Sequence, residues 1–253
     1  MTGDAEPASD ERTPGRRRLA RTVLTGAAAL GAGLVSGPGP APTATGSAGA
    51  ASSDATRRRP AGPDTALREL AEGNRRWRTL HERHPDETST VRRALLGGQH
   101  PFAVVLGCVD SRVPPELVFD QGLGDLLTVR SAGEVLDEAV LGSIAYGVLE
   151  LDIPLVVVLG HQSCGAVSAA VHADLTGTEL PAHMQYLVDR IRPAIDPKLR
   201  GDARVDAAIT ANVLLVRALL AAEPELAARI AAGRLAVVGA RYELGTQWVH
   251  RIG

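Results

Sequence analysis

Aromatic side chains make up only 3% of this 253-residue chain, too few for a platform that stacks bases or sugars. The net charge is −2, and Lys and Arg do not cluster outside the N-terminal region, so nothing points to a nucleic-acid partner. Lysine is nearly missing: Lys198 stands alone beside many arginines, which reads as composition bias before chemistry. Cysteine occurs twice, enough for a single disulfide or a shared place on one metal ion. With 45% hydrophobic residues the chain can still bury a core of ordinary domain size.

The first sixty residues do not read as part of a fold. A basic start is followed by an uncharged run, Thr22 to Ser36, which at 15 residues falls short of the roughly 20 needed to span a bilayer. Pro, Ala, Ser and Thr come next. This order fits an export signal, with Ala48 to Ala50 as a cleavage site. Arg16 and Arg17, followed by Arg18, Leu19 and Ala20, resemble the twin-arginine pattern of bacterial Tat signals. The division is then residues 1–50 as signal and disordered stretch, 51–63 as linker, and 64–253 as one domain. The mature protein is expected outside the cytoplasmic membrane and not inserted in it. A retained membrane anchor and a basic disordered tail are the alternatives.

From Asp64 the pattern becomes globular. Leu67, Leu70, Ala71 and Trp77 recur at helical spacing behind a capping-type Asp64, and a second short helix is expected near Val91 to Leu96. Four short apolar runs read as buried strands: "FAVVLG" (102–107), "LLTVR" (126–130), "IPLVVVLG" (153–160) and "RLAVVGAR" (234–241). Helical patterns lie between them, at 137–151, after Cys164, and from about Val205 to Ala232. This alternation predicts an α/β fold: a central, mostly parallel sheet of four strands, with room for a fifth at an edge, flanked by helices. Sites in such sheets form at the carboxyl ends of strands.

Cys108 and His161 fall just past two of those ends, in "GCVDSRVPPE" and "GHQSCGA". If the two runs are neighbouring strands, Cys108, His161 and Cys164 meet. Two thiolates and an imidazole suit zinc, and three protein ligands leave the fourth tetrahedral position open for catalysis. The rival is an extracytoplasmic disulfide between the two cysteines. Export in the folded state, with metal already inserted, favours the metal. Asp110 and Arg112 would then stand beside it, the carboxylate held ionised and aimed by the guanidinium, although an isolated Asp–Arg pair is more often structural. His81, His84, His100, His172, His183 and His250 lie in polar contexts without ligand partners and read as surface residues.

Taken together, these residues resemble the β-class carbonic anhydrases. The likeness rests on "CVDSRVPPELVF", "GDLLTVRSAGE" and "GHQSCGAV", with support from "LAEGNRRW" and "VVGARYELGTQWV", and covers most of residues 65–250. It implies a lyase that hydrates CO2 reversibly to bicarbonate and a proton by zinc-bound hydroxide, with one Zn2+ per chain. It also implies a homodimer or higher homo-oligomer, with N-terminal helices packing on a partner. Cys108, His161 and Cys164 match the metal ligands, and Asp110 with Arg112 matches the catalytic pair. The substrate-binding positions are Gln99, which reaches into the partner subunit's site, with Leu127, Ala132, Tyr146 and Gly165.

Some positions depart from the family pattern. Ser131 and Glu134 replace two asparagines, and Glu134 is expected to put a charge at the pocket edge. Val109 replaces a serine. Val105 stands where the bicarbonate-regulated subgroup has a tryptophan; Arg130 is kept, but the trio is incomplete, which implies the unregulated type. Two other readings stay open: a hydrolase of carbonyl sulfide or carbon disulfide on the same scaffold, and a non-catalytic metal-binding or sensory module.

Overall fold

The computed structural model describes residues 59–253; the export signal assigned to 1–50 and most of the 51–63 linker lie outside the described residues. Helix α1 (Pro63–Arg78) opens the fold. Its N-cap is Gly62, with Pro63 in the first turn, where proline's missing N–H costs nothing. Asp64 is therefore not the cap; it sits inside the first turn, where its charge favours the positive helix end. A short α2 (Ser89–Ala94), capped by Thr88, buries none of its residues.

The sheet follows: β1 (Ala103–Gly107), a one-turn α3 (Pro115–Val118), β2 (Leu126–Arg130), α4 (Glu138–Leu149), β3 (Leu155–His161), α5 (Gly165–Thr176), α6 (Ala182–Ile191), α7 (Gly201–Ala222), α8 (Pro224–Ala231), β4 (Ala236–Glu243) and β5 (Trp248–Ile252). The spatial order is β2-β1-β3-β4-β5. The first four strands are parallel, and β5 runs antiparallel on the edge beside β4.

Every residue of β1 and β3 is buried, because helices cover both faces of the sheet. Alternate side chains feed different cores. Ala103, Val105, Leu155 and Val157 point to the α1 side, where Ala66 and Leu70 pack. Val104, Leu106, Val156 and Val158 point to the other side, against Ile144 and Val148 of α4, Val213 and Leu220 of α7, and Leu226 of α8. Helix α7 is the one described helix long and apolar enough to cross a membrane; here it packs on β3 and β4.

Two buried polar groups fix α1. Asn74 donates to the carbonyls of Val118 and Gln247 and accepts from the Val249 N–H, tying the helix to α3 and to the edge strand. Asp120 pairs with Arg76 and accepts the N–H groups of Arg83 and His84. Gly73 lets the Phe119 carbonyl approach so closely that a Cβ there would lie 1.7 Å from its oxygen.

Candidate metal centre

Strand order alone brings the two motifs together. β1 and β3 are neighbours in register, Gly107 opposite Leu159, so Cys108 leaves β1 beside the end of β3, where His161 is the last residue. The chain then turns through Ser163, at φ 56°, and Cys164 becomes the N-cap of α5. Cys108, His161 and Cys164 are all buried, and their ligand atoms lie within 4.8 Å of one another. Beneath the two sulfurs is a third apolar cluster that includes Val167 and Ala170 of α5, Val188 and Ile191 of α6, and Ala208 and Ile209 of α7.

The donor set fits a metal ion. Both cysteines are free, with Sγ atoms 3.9 Å apart; two sulfurs at about 2.3 Å from one tetrahedral ion would stand about 3.8 Å apart. The His161 Nδ1–H donates to the Gln162 carbonyl at 2.9 Å, which leaves Nε2 as the bare nitrogen. That Nε2 is buried with no hydrogen-bond partner among the described residues, a costly state for a polar atom unless something binds it.

The surroundings favour thiolate and hold the loop. The Cys164 thiol beside Cys108 pulls the Cys108 thiol well below its ordinary pKa against the effect of burial, helped by His161 and by the Gly133 N–H at 3.4 Å. Gly133 can offer that N–H because it sits at φ 64°; a Cβ there would meet Ile191 at 2.8 Å. Arg130, the last residue of β2 and in register with Gly107, donates to the carbonyls of Cys108 (2.8 Å) and Asp110 (2.6 Å). This clamp was not foreseen from the sequence, since it depends on the pairing of β2 with β1.

Asp110 stands at the edge of the ligand set, Oδ2 3.9 Å from His161 Nε2. Arg112 grips it as a fork, Nε to Oδ1 at 2.9 Å and Nη2 to Oδ2 at 2.7 Å, and adds its backbone N–H to Oδ1 at 2.9 Å. These bonds hold the Asp110 carboxyl far below the usual carboxylate range.

A cavity of about 280 Å³ opens beside the centre, lined by Cys108, Val109, Asp110, Ala132 and Gly165, and walled by Leu180 and by Met184, Leu187 and Val188 of α6. That apolar wall had no recognisable motif. Gln99 (exposed), Leu127 (packed on the α4 side) and Tyr146 (48% exposed) do not line this cavity within one chain. All six remaining histidines are exposed.

Glu134 corrects an expectation. It is not at the pocket edge: it is 2% exposed, because consecutive left-handed residues, Gly133 and Glu134 itself at φ 53°, turn the side chain inward. Its Oε2 faces Asn212 Nδ2 at 3.5 Å, and its Oε1 is buried without a partner among the described residues. Burial, then the nearby Cys108 thiolate, pushes its pKa well above the ordinary value, so it adds no charge to the rim.

Fold and site together define an α/β protein with a Cys-His-Cys set able to hold a metal ion at the carboxyl ends of parallel strands. The carbonic anhydrase family model matches residues 103–249. Carbonic anhydrase 2 of Mycobacterium tuberculosis is 46% identical over 184 residues, covering 72% of this chain and 89% of that protein; the carbonic anhydrase of Mycolicibacterium smegmatis is 43% identical over the same shares. Among solved structures, the β-carbonic anhydrase CcaA superposes with TM-score 0.61 at 25% identity, over 74% of this chain and 95% of that one. The Coccomyxa β-carbonic anhydrase, solved with acetazolamide, gives 0.60 at 28%, over 74% and 86%. The chain belongs to the carbonic anhydrase family, in its β class, and is an enzyme, a lyase.

Proposed function

We propose that this enzyme hydrates CO2 reversibly to bicarbonate and a proton at a zinc ion held by Cys108, His161 and Cys164. The observation that carries the reading is the convergence of three buried ligand atoms within 4.8 Å next to a carboxylate clamped by Arg112. Zinc, when bound, supplies a Lewis acid that lowers the pKa of a water from 15.7 to about 7.

The chain's own residues supply position and exclusion. Asp110 accepts a hydrogen bond from the reacting water and turns its lone pair toward CO2. Because Arg112 holds the carboxyl so far below its usual range, Asp110 is a weak base, and its work is orientation while the proton leaves to buffer. Ala132, Gly165 and the apolar wall of α6 receive an uncharged, non-hydrogen-bonding substrate at little desolvation cost.

The active unit is a homo-oligomer in which Gln99, Leu127 and Tyr146 complete the partner subunit's pocket. Support comes from their absence from the cavity of their own chain and from exposed apolar residues such as Leu96, Leu117 and Leu123. Two β-carbonic anhydrases of Sordaria macrospora, which share the fold, are tetrameric. An extracytoplasmic site of action is supported by the signal-like pattern of residues 1–50, a basic start, an uncharged run and a Pro/Ala/Ser-rich stretch.

Stopped-flow CO2 hydration between about pH 7 and 9 tests the reading, with zinc counted per chain. Activity that rises with pH at one zinc per chain, and zinc that is lost in Cys108→Ala, are the expected results. Bound zinc with turnover of carbonyl sulfide or carbon disulfide but not of CO2 would overturn the substrate assignment.

A further inference from the structure

The end of the sheet opposite the metal carries a second cleft. It is bounded by Pro63 at the start of α1, Pro154 just before β3, and Arg234 just before β4, and its volume is about 390 Å³. The seven residues of β3 separate it from His161, a distance of about 20 Å at strand rise. It therefore does not belong to the metal centre.

Three guanidinium groups line this cleft, from Arg59, Arg229 and Arg234, against a single carboxylate, Asp152. Arg59 Nη2 donates to the carbonyls of Leu151 (3.3 Å) and Asp152 (3.4 Å). Arg229 pairs with Asp152 Oδ1 and donates to the Leu149 carbonyl at 3.3 Å. Asp152 faces all three cations, but as one carboxylate with its side chain 77% exposed it offsets only one of the three charges. Their donor capacity is largely unspent: Arg59 Nε is buried with no partner among the described residues, and the Arg234 side chain makes no hydrogen bond among them. A guanidinium has several N–H donors in a planar fork and no acceptor, and forks of this kind match the oxygens of a phosphate. The α1 N-terminus, at Gly62 and Pro63 of the lining, adds its positive end on the same side.

We infer that this cleft binds a phosphate group, presented either as a free phosphate or pyrophosphate ion or on a lipid headgroup. A doubly charged oxyanion matches the excess of two positive charges that Asp152 leaves. No stacking residue lines the cleft, which disfavours a nucleotide base as an additional element of recognition.

The test is isothermal titration of the zinc-loaded full chain with pyrophosphate at constant ionic strength, repeated with Arg234→Glu. The control is Lys198→Glu, which makes the same charge change at an exposed position outside the cleft. A parallel arm measures co-sedimentation with phosphatidylcholine vesicles with and without phosphatidylglycerol. The expected result is binding that Arg234→Glu weakens at least about tenfold and Lys198→Glu leaves unchanged, with CO2 hydration intact in both variants. Binding only to the anionic vesicles, lost in the same variant, would support the proposal with lipid as the phosphate source. Equal losses in both variants, or no binding in either arm, would overturn it.

Discussion

Glu134 offers the most direct test of how this site is built, because its burial fixes the sign of a pH effect. In the unfolded chain its carboxyl titrates near 4.3, roughly the ordinary value; in the fold, burial and the Cys108 thiolate raise that pKa well above it. Above the unfolded pKa the unfolded chain has released the proton that the folded chain keeps. Stability is therefore fully present at low pH and lost as pH rises, by up to about 1.4 kcal/mol for every pH unit through which Glu134 stays protonated. Glu134→Gln has nearly the same shape, can still accept from Asn212, and does not titrate. The stability of the variant minus that of the wild type should be small near the unfolded pKa. It should then climb with pH, at a slope of up to about 1.4 kcal/mol per unit, for as long as the folded carboxyl stays protonated. Urea unfolding at matched protein concentration, with zinc removed from both proteins, reads that difference directly. A flat difference would refute the reasoning and mean that Glu134 titrates alike in folded and unfolded chains, and one of opposite sign would mean that a partner holds it ionised.

Other substitutions separate chemistry from packing. Asp110→Asn should keep zinc at one per chain and lower kcat by about a hundredfold, the scale of a misaligned reactant; near-normal kcat would remove Asp110 from the reaction. Gly165→Val should lower kcat/KM with zinc retained, since Gly165 borders the cavity and a Cβ there meets nothing within 4 Å, so the added atoms enter the space offered to substrate; unchanged kcat/KM would place CO2 elsewhere. Gly73→Ala should destabilise the fold by about 1–3 kcal/mol or more, because the Phe119 carbonyl must give way; thermal unfolding checks it, and an unchanged midpoint would mean that α1 moves freely.

β1, β3 and β4 were legible because each is an almost continuous apolar run, as burial on two faces requires; β2, half-buried at the edge opposite β5, kept enough apolar residues to be read with them. The ligand triplet was legible because strand ends are where such runs stop. β5 left only a hint of itself: Trp248, His250 and Arg251 are exposed, so the edge strand lacks an apolar pattern and depends on its pairing with β4 and on Asn74 from α1. Helix α6 was not separately foreseen for a related reason, since its wall of the cavity rests on a few apolar positions in a mostly exposed helix. The inward turn of Glu134 could not be inferred either. It depends on a left-handed non-glycine residue next to Gly133, and neither composition nor periodicity reports that conformation.

The state of Asp110 follows from a competition that the sequence could only name. Its carboxylate is 3.9 Å from the bare nitrogen of His161, near enough to rival water for an open position on a metal ion. What opposes that move is the fork of Arg112 together with its backbone N–H. The Asp110 carbonyl is pinned separately, by Arg130 from the neighbouring strand. The side-chain grip is local, two residues along the chain, whereas the backbone grip is non-local and exists only once β2 has paired with β1. Asp110 is thus held twice, at its backbone by Arg130 and at its carboxylate by Arg112, by elements that form independently. The Arg112 side chain is 55% exposed, so its hold is open to solvent and to salt screening. The two grips also divide the labour: Arg130 sets where Asp110 stands, and Arg112 sets which way its oxygens face, so the geometry of the reaction depends on both arginines.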